Sequence, residues 1–508
     1  MAAENNINNT KRIAKNTVVL YMRMLFQMVV LLYTSRVLIQ ALGVVDYGIY
    51  DVVGGLVFIM MFLNNSLAIC TQRYVTFALG KGDVDYLRKV FTASVVIHVL
   101  LSVLLIVVGE TVGLWYVQHY LVFPEGRLSD VTTVFHFSLL TGALMIINVP
   151  YNATIIAHEK MTAFAVITIL DVFLKLCVAV SLYFVEDSRI TFYAFLMFAE
   201  SLFIRIVYGM YCKVKFKDIK FVGFKDRQLY GEMLRFAGWS TIGNTAYVMN
   251  TQGLNLVLNS LFGPVLNAAR GIAFNVQMAL NSFISSFQTA INPQITKQYA
   301  QGNLEMSHEL ILRSSRLSFL LTLFIVVPLG LDTAFYLQIW LGEVPDYVVD
   351  FTRLLMCVTI VEAMGNPLTV GATATGNIKK YHLFIGGSLL LVLPMALGIA
   401  YWCRVPQSVF IVLLVMTIFA QGVRVWLCRS LYQLPVGRFF REVARPVGMV
   451  AVLVLTVPVF LYLILPQYRV WGHLLLGAGN LLWVAVSVWI AGLRNDERNF
   501  VMKKIRRK

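Results

Sequence analysis

Apolar runs long enough to cross roughly 30 Å of hydrocarbon recur along the whole chain. They lie at residues 17–41, 47–79, 88–115, 131–156, 162–184, 190–212, 229–260, 265–295, 310–331, 351–375, 381–402, 407–428, 446–465 and 471–492. The pattern predicts an all-α, polytopic membrane protein of about fourteen transmembrane helices. The first run follows a polar start through Lys11, Arg12 and Lys15 and reads as a retained helix rather than a cleaved signal.

Several of these runs carry a polar stripe. In the first, Asn16, Arg23, Gln27 and Thr34 are spaced 7, 4 and 7 residues apart, which at about 100° per residue puts them on one narrow face. The eighth repeats this with Arg270, Gln277, Asn281 and Gln288, and the seventh with Asn244, Thr251 and Asn255. Thr141, Asn148 and Asn152 mark the fourth, and Glu362, Asn366, Thr369 and Thr373 the tenth. The second is sparser, with Asp51, Asn65 and Gln72, plus Arg73 near its inner end. A lipid-facing helix would not keep such stripes, so these faces are expected to look across one water-filled cavity. The candidate lining residues are Arg23, Gln27, Arg73, Asn148, Asn244, Asn255, Arg270, Gln277, Asn281, Glu362 and Asn366. The bland alternative is that the amides glue helices together and the arginines snorkel. Asp171 and Lys175, four apart, pair on one face of the fifth helix, either as a structural pair or as an ion-coupling one. Glu200 and Arg205, five apart, sit on different faces and need partners on other helices.

The chain also repeats itself. Gly43 matches Gly263 at an offset of 220 residues, the Asn148-Val-Pro150 kink matches Asn366-Pro367, and Trp115 matches Trp340. This predicts two six-helix lobes, residues 1–212 and 229–430, in direct repeat with a cleft between them. Residues 213–228 form a basic linker, and residues 431–508 supply two further helices and a basic tail.

Composition agrees: of 508 residues 58% are hydrophobic and only 13% charged, and the mean hydropathy is +0.74. Lys plus Arg outnumber Asp plus Glu by 42 to 26. The surplus collects in the linker, the tail and alternate short loops, while the opposite loops carry only Arg127, Arg189, Arg404 and Arg469. Both termini are therefore expected in the cytoplasm, and topology alone accounts for the charge without a nucleic-acid partner. The six cysteines show no CxxC and read as small core residues. No phosphate-binding loop is present: the 371–376 glycine pair continues Asn-Ile. His158-Glu159 and His308-Glu309 lack the second histidine of a zinc helix. A transporter without cofactor or metal is expected, not an enzyme.

The segment Arg36-Val-Leu-Ile-Gln-Ala-Leu-Gly-Val-Val-Asp-Tyr-Gly-Ile-Tyr50 resembles the first-helix signature of bacterial polysaccharide exporters. These are the lipid-linked O-antigen flippases of the multidrug/oligosaccharidyl-lipid/polysaccharide, MATE-like, superfamily. The likeness extends over nearly the whole helix pattern. It implies a V-shaped, alternating-access carrier in the bacterial inner membrane that moves an undecaprenyl-pyrophosphate-linked oligosaccharide for surface polysaccharide or lipopolysaccharide synthesis. A proton or sodium gradient and a polysaccharide polymerase are the partners it implies. Lipid II flippases of the same superfamily hold the pyrophosphate with arginines in the first, second and eighth helices, where Arg23, Arg73 and Arg270 stand in this chain. The alternative is an ion-coupled multidrug antiporter, which should favour acids in its cavity; Asp51, Asp171 and Glu362 are the acids available.

Overall fold

A computed structural model describes residues 2–60, 62–120, 126–223, 226–262, 264–464 and 470–505. Each predicted run is helical over its described residues, to within a residue or so at its ends, and among these residues there is no strand.

The chain begins with α1 (Ala2–Met60), which holds the first predicted span and the start of the second. The two are separated at Gly43, whose φ of 77° and ψ of 166° break the helix in a region open to glycine but strained for other residues. Two arginines on the loops assigned to the outer face hold this break. Arg127 pairs with Asp46, and Arg189 donates to the Ala41 carbonyl at 3.0 Å. Gly263, the repeat counterpart of Gly43, lies outside the described residues. The N-terminal part continues with α2 (Phe62–Lys81), α3 (Val84–Val108), α4 (Leu114–Tyr120), α5 (Leu128–Ala157), α6 (Met161–Ser181) and α7 (Arg189–Lys215). A π-helical turn, Gly109–Gly113, joins α3 to α4.

After the linker come α8 (Arg227–Phe262), α9 (Pro264–Ala300), α10 (Leu304–Leu331), α11 (Thr333–Leu341), α12 (Val348–Ala374), α13 (Lys379–Cys403) and α14 (Ser408–Tyr432). The short α15 (Val436–Phe439) and a π-helical turn, Phe440–Ala444, lead into α16 (Arg445–Ile464), followed by α17 (Val470–Ser487) and the tail helix α18 (Asn495–Ile505).

Two compact units result, Met1–Thr241 and Ile242–Lys508, with the division inside α8. The reason is local. The first turns of α8 pack on α2, where the Cys70 thiol donates to the Met233 carbonyl at 3.3 Å and the Tyr74 and Phe236 rings meet edge-on at 5.9 Å.

Within each unit the packing follows the same plan. In the first, α5 is the hub, touching α2, α3 and α7, while α2 packs on α3 and α6 on α7. In the second, α12 is the hub, touching α9, α10 and α14, while α9 packs on α10 and α13 on α14. The two hubs are the helices that carry the Asn148-Val-Pro150 and Asn366-Pro367 motifs. Among the described residues nine helices are long and apolar enough to cross a membrane. The stretches missing from this set include α2, α8, α9 and α12, whose polar stripes lower their hydropathy.

The two added helices are clamped to α10 at both ends. At one end His473 hydrogen-bonds Asp332 at 2.6 Å and stacks on Phe335 at 4.0 Å. At the other, Glu497 of α18 accepts from Arg316 at 2.7 Å and Arg313 at 2.9 Å. Nearby, Glu442 pairs with Arg438 at 2.6 Å and Arg494 at 3.0 Å. The carboxylates of Glu442 and Glu305 hold the Arg438 guanidinium above its ordinary range against the opposing effect of burial.

Candidate functional site

A cavity with polar and apolar lining lies beside α5 inside the N-terminal unit. It measures about 340 Å³ and is lined from α2, α5, α6 and α7 by Asn64, Thr141, Asn148, Asn152, Phe164, Thr168, Asp171, Lys175, Glu200, Ser201 and Tyr208, among others. That volume falls within the range of about 300–1,000 Å³ typical of small-molecule sites. Thr141, Asn148 and Asn152, spaced 7 and 4 residues apart, share the cavity face of α5 as their periodicity predicts. The Oδ1 atoms of Asn148 and Asn152 are buried with no hydrogen-bond partner among the described residues, which leaves two acceptors for a guest.

The Asp171–Lys175 ion pair forms at 2.9 Å and borders the cavity. Glu200, only 7% exposed, comes in from α7 beside this pair, and its Oε1 has no hydrogen-bond partner among the described residues. Two carboxyls and one ammonium thus share one small cavity. Arg205, which the sequence left to find a partner elsewhere, places its guanidinium 3.7 Å from the Tyr151 ring centre on α5.

Of the first-helix stripe, Asn16 and Thr34 are buried and Arg23 and Gln27 half-buried; α1 packs chiefly on α6. Arg23 does not line the cavity itself. Its guanidinium lies 4.7 Å from the Phe164 ring centre and close to Tyr208, so it stands behind two of the lining rings. Arg73 is set among aromatic rings, 4.5 Å from Tyr74, 4.8 Å from Phe77 and 5.7 Å from Phe236. Asn65 is exposed, and its neighbour Asn64, one helical step round, takes the lining position instead. The side chains of Asp51 and Thr251 lie outside the described residues.

In the C-terminal unit polar residues gather around Pro367 of α12. Pro367 has no N–H, so the Ala363 carbonyl loses its helical partner. Gln288 replaces it: its Nε2 donates to Ala363 O at 3.0 Å and to Ser318 Oγ at 3.1 Å, while its Oε1 accepts from Asn366 Nδ2. One turn on, Arg424 donates to Tyr381 Oη at 2.9 Å and to Gln421 Oε1 at 2.7 Å. Tyr381 in turn reaches Thr369 Oγ1 at 2.6 Å. Glu362 lies in the field of Arg424. Arg270, 9% exposed, places its guanidinium 5.4 Å from the Phe274 ring centre. Gln277 is buried, while Asn244, Asn255 and Asn281 are half-buried and Asn366 is exposed.

Sequence reasoning missed Arg424 and Tyr381. The signal was a lone arginine in the apolar run 407–428, where an unpartnered charge is costly. Gly365 makes the room for it, since a Cβ there would lie 1.8 Å from Arg424 Nη1 and 2.6 Å from Gln421 Oε1. Gly365→Ala is therefore expected to push Arg424 off both partners and to cost about 1–3 kcal/mol, the penalty of unsatisfied buried polar groups. A Gly365→Ala protein with unchanged thermal inactivation would show that this network is slack. The incomplete zinc motifs have ordinary partners: His158 bonds Asp218 at 3.2 Å and stacks on Phe216, and His308 bonds the Tyr432 carbonyl at 3.0 Å.

No protein-family model and no curated protein matches the chain. Solved structures do. A MATE transporter crystallised with MaD3S superposes with a TM-score of 0.73 at 14% identity, covering 85% of this chain and 97% of that one. An outward-facing multidrug resistance MATE family transporter of the MOP superfamily gives 0.70 at 14% identity, covering 85% and 96%. A MOP superfamily transporter from Pyrococcus furiosus, described as having a binding pocket of reversed polarity, gives 0.68 at 15%, covering 84% and 96%. The apolar helices, the paired hubs and these superpositions together make the chain a multi-pass membrane protein with the fold of the MATE transporters.

Proposed function

We propose that the protein carries a lipid-linked oligosaccharide, an undecaprenyl-pyrophosphate-linked glycan, across the bacterial inner membrane by alternating access, for surface polysaccharide synthesis. The observation that carries this reading is the lining of the N-terminal cavity. Amides and hydroxyls of Asn64, Asn148, Asn152, Thr141 and Thr168 stand beside the rings of Phe164 and Tyr208. Hydrogen-bonding groups next to flat apolar faces suit sugar rings, which present hydroxyls at their edges and C–H bonds on their faces. The pocket takes part of a glycan, and the polymerase that would extend such glycans is the expected partner.

Asp171, Lys175 and Glu200 are proposed as the coupling group, with a proton or sodium ion as the coupling ion, because cargo contact and a change of charge meet in the same cavity. Arg23 in one unit and Arg270 in the other are each proposed to contact the pyrophosphate, since a guanidinium grips phosphate in a two-point fork that an ammonium lacks. Gln27, Arg73, Asn244, Asn255, Gln277, Asn281, Glu362 and Asn366 remain proposed contributors to the substrate path. The likeness to multidrug MATE structures favours drug efflux as the second reading.

A deletion strain assayed for surface polysaccharide and for drug sensitivity separates the two. Lost polysaccharide with normal drug tolerance supports the flippase, and the reverse supports efflux. In the complemented strain, Arg23→Lys and Arg270→Lys are expected to cut export at least tenfold at normal membrane abundance, and the Ala forms to abolish it. Wild-type export by both Ala variants would reject the anion-binding role.

A further inference from the structure

We propose that the C-terminal unit binds one anionic phospholipid of the bilayer, its phosphate at Arg429 and an acyl chain along the groove between α14 and α16. This groove, of about 450 Å³, lies between α12, α14, α15, the following π-helical turn and α16. Its lining is overwhelmingly apolar, includes Trp426, Phe440 and Val447, and contains no acid. At Gly422 and Gly448, on opposite walls, a Cβ would meet nothing within 4 Å, so the groove is open at its middle.

The groove has a direction. From Gly422 to Arg429 is seven residues of one helix, about 10 Å at the helical rise. One end is apolar, and the other carries an arginine at the helix end that the charge pattern assigns to the cytoplasmic face. Trp426, 57% exposed, lies between them, as interfacial aromatics do. Tail, glycerol level and headgroup of a lipid follow the same order.

The charge is available for a ligand. Nearby Arg438 and Arg494 are engaged by Glu305 and Glu442. By contrast Arg429, Arg441 and Arg445 are exposed and make no ion pair among the described residues. Basic sites between transmembrane helices on this side suit anionic headgroups, and with no acid in the lining the ammonium of a zwitterionic lipid finds no partner.

Native mass spectrometry of the full chain, titrated with phosphatidylglycerol or phosphatidylcholine after delipidation, tests this. The wild type is expected to retain one phosphatidylglycerol in preference to phosphatidylcholine. Arg429→Gln should weaken phosphatidylglycerol about tenfold, the scale of one charge-assisted hydrogen bond, and leave phosphatidylcholine unchanged. Gly422→Leu and, as an independent filling of the same space, Gly448→Leu should remove the bound lipid while keeping the wild-type gel-filtration peak. Lys217→Gln, in the basic linker, should change nothing. Equal retention of the two lipids by the wild type, or retention unaffected by all three groove variants, overturns the proposal. So does displacement of phosphatidylglycerol by inorganic phosphate, which would assign a bare anion site, or preferential capture of undecaprenyl phosphate, which would assign the groove to cargo.

Discussion

Lys175→Met is expected to abolish transport and to lower the amount of folded protein more than removal of both Asp171 and Lys175 does. The pair is closed at 2.9 Å, with side chains 30% and 24% exposed, and Glu200 adds a second carboxyl to the same cavity. Without the ammonium, two carboxyls face each other with no cation, and their mutual repulsion is relieved only when one stays protonated. Taking away one partner of an ion pair leaves an uncompensated charge, whereas replacing both by apolar groups of similar size is close to neutral. Because the two side chains are 30% and 24% exposed, the single change is expected to cost about 1–2 kcal/mol rather than the full penalty of a dry pair. The double variant Asp171→Leu/Lys175→Met should recover membrane abundance. Its transport is the informative quantity. If the pair cycles between protonation states the double variant stays inactive in everted vesicles, and if it carries cargo at the wild-type rate the pair is only a structural tie.

The helices of this protein were legible because lipid imposes length and hydropathy on every span, and the Asp171–Lys175 pair because four residues bring two side chains onto one face. The stripe on α5 was legible for the same geometric reason. What the sequence does not carry is anything decided by a neighbour. Asn64 and Asn65 differ by about 100° of rotation, and only packing against α5 selects Asn64 for the cavity. Pro367 advertises a free carbonyl at Ala363, yet nothing in the sequence says that Gln288, on α9, will take it. Arg23 shares a stripe with three polar residues, and its guanidinium still settles on the Phe164 ring. The basic linker marks a break in composition, while the contacts of Met233 and Phe236 with α2 carry the first compact unit into α8.

The tail is the clearest case, and it yields the largest expected effect on stability. The run from Arg494 to Lys508 reads as a solvated basic end, yet Glu497 is 5% exposed and Arg316, its partner on α10, only 1%. Glu497 accepts from Arg316, Arg313 and the Arg494 amide, and Arg316 uses its other nitrogen on the Glu442 carbonyl at 3.0 Å. An acid inside a basic tail is therefore the counter-ion that lets a buried arginine stay in α10. Glu497→Leu keeps the bulk and takes the acid away from the buried Arg316 guanidinium, so it is expected to cost about 3–5 kcal/mol. Arg316→Met should cost less, because Glu497 then still holds Arg313 at 2.9 Å. The triple change Arg313→Met/Arg316→Met/Glu497→Leu should lie near the wild type, since no charge is left without its partner. Unfolding of such a protein is measured as a rate, so the comparison is the half-life of monodisperse protein in detergent at one elevated temperature. The expected order is Glu497→Leu shortest, then Arg316→Met, then the triple variant close to wild type. A Glu497→Leu half-life equal to wild type would mean that α18 does not hold α10, and that the arginine is satisfied without its acid.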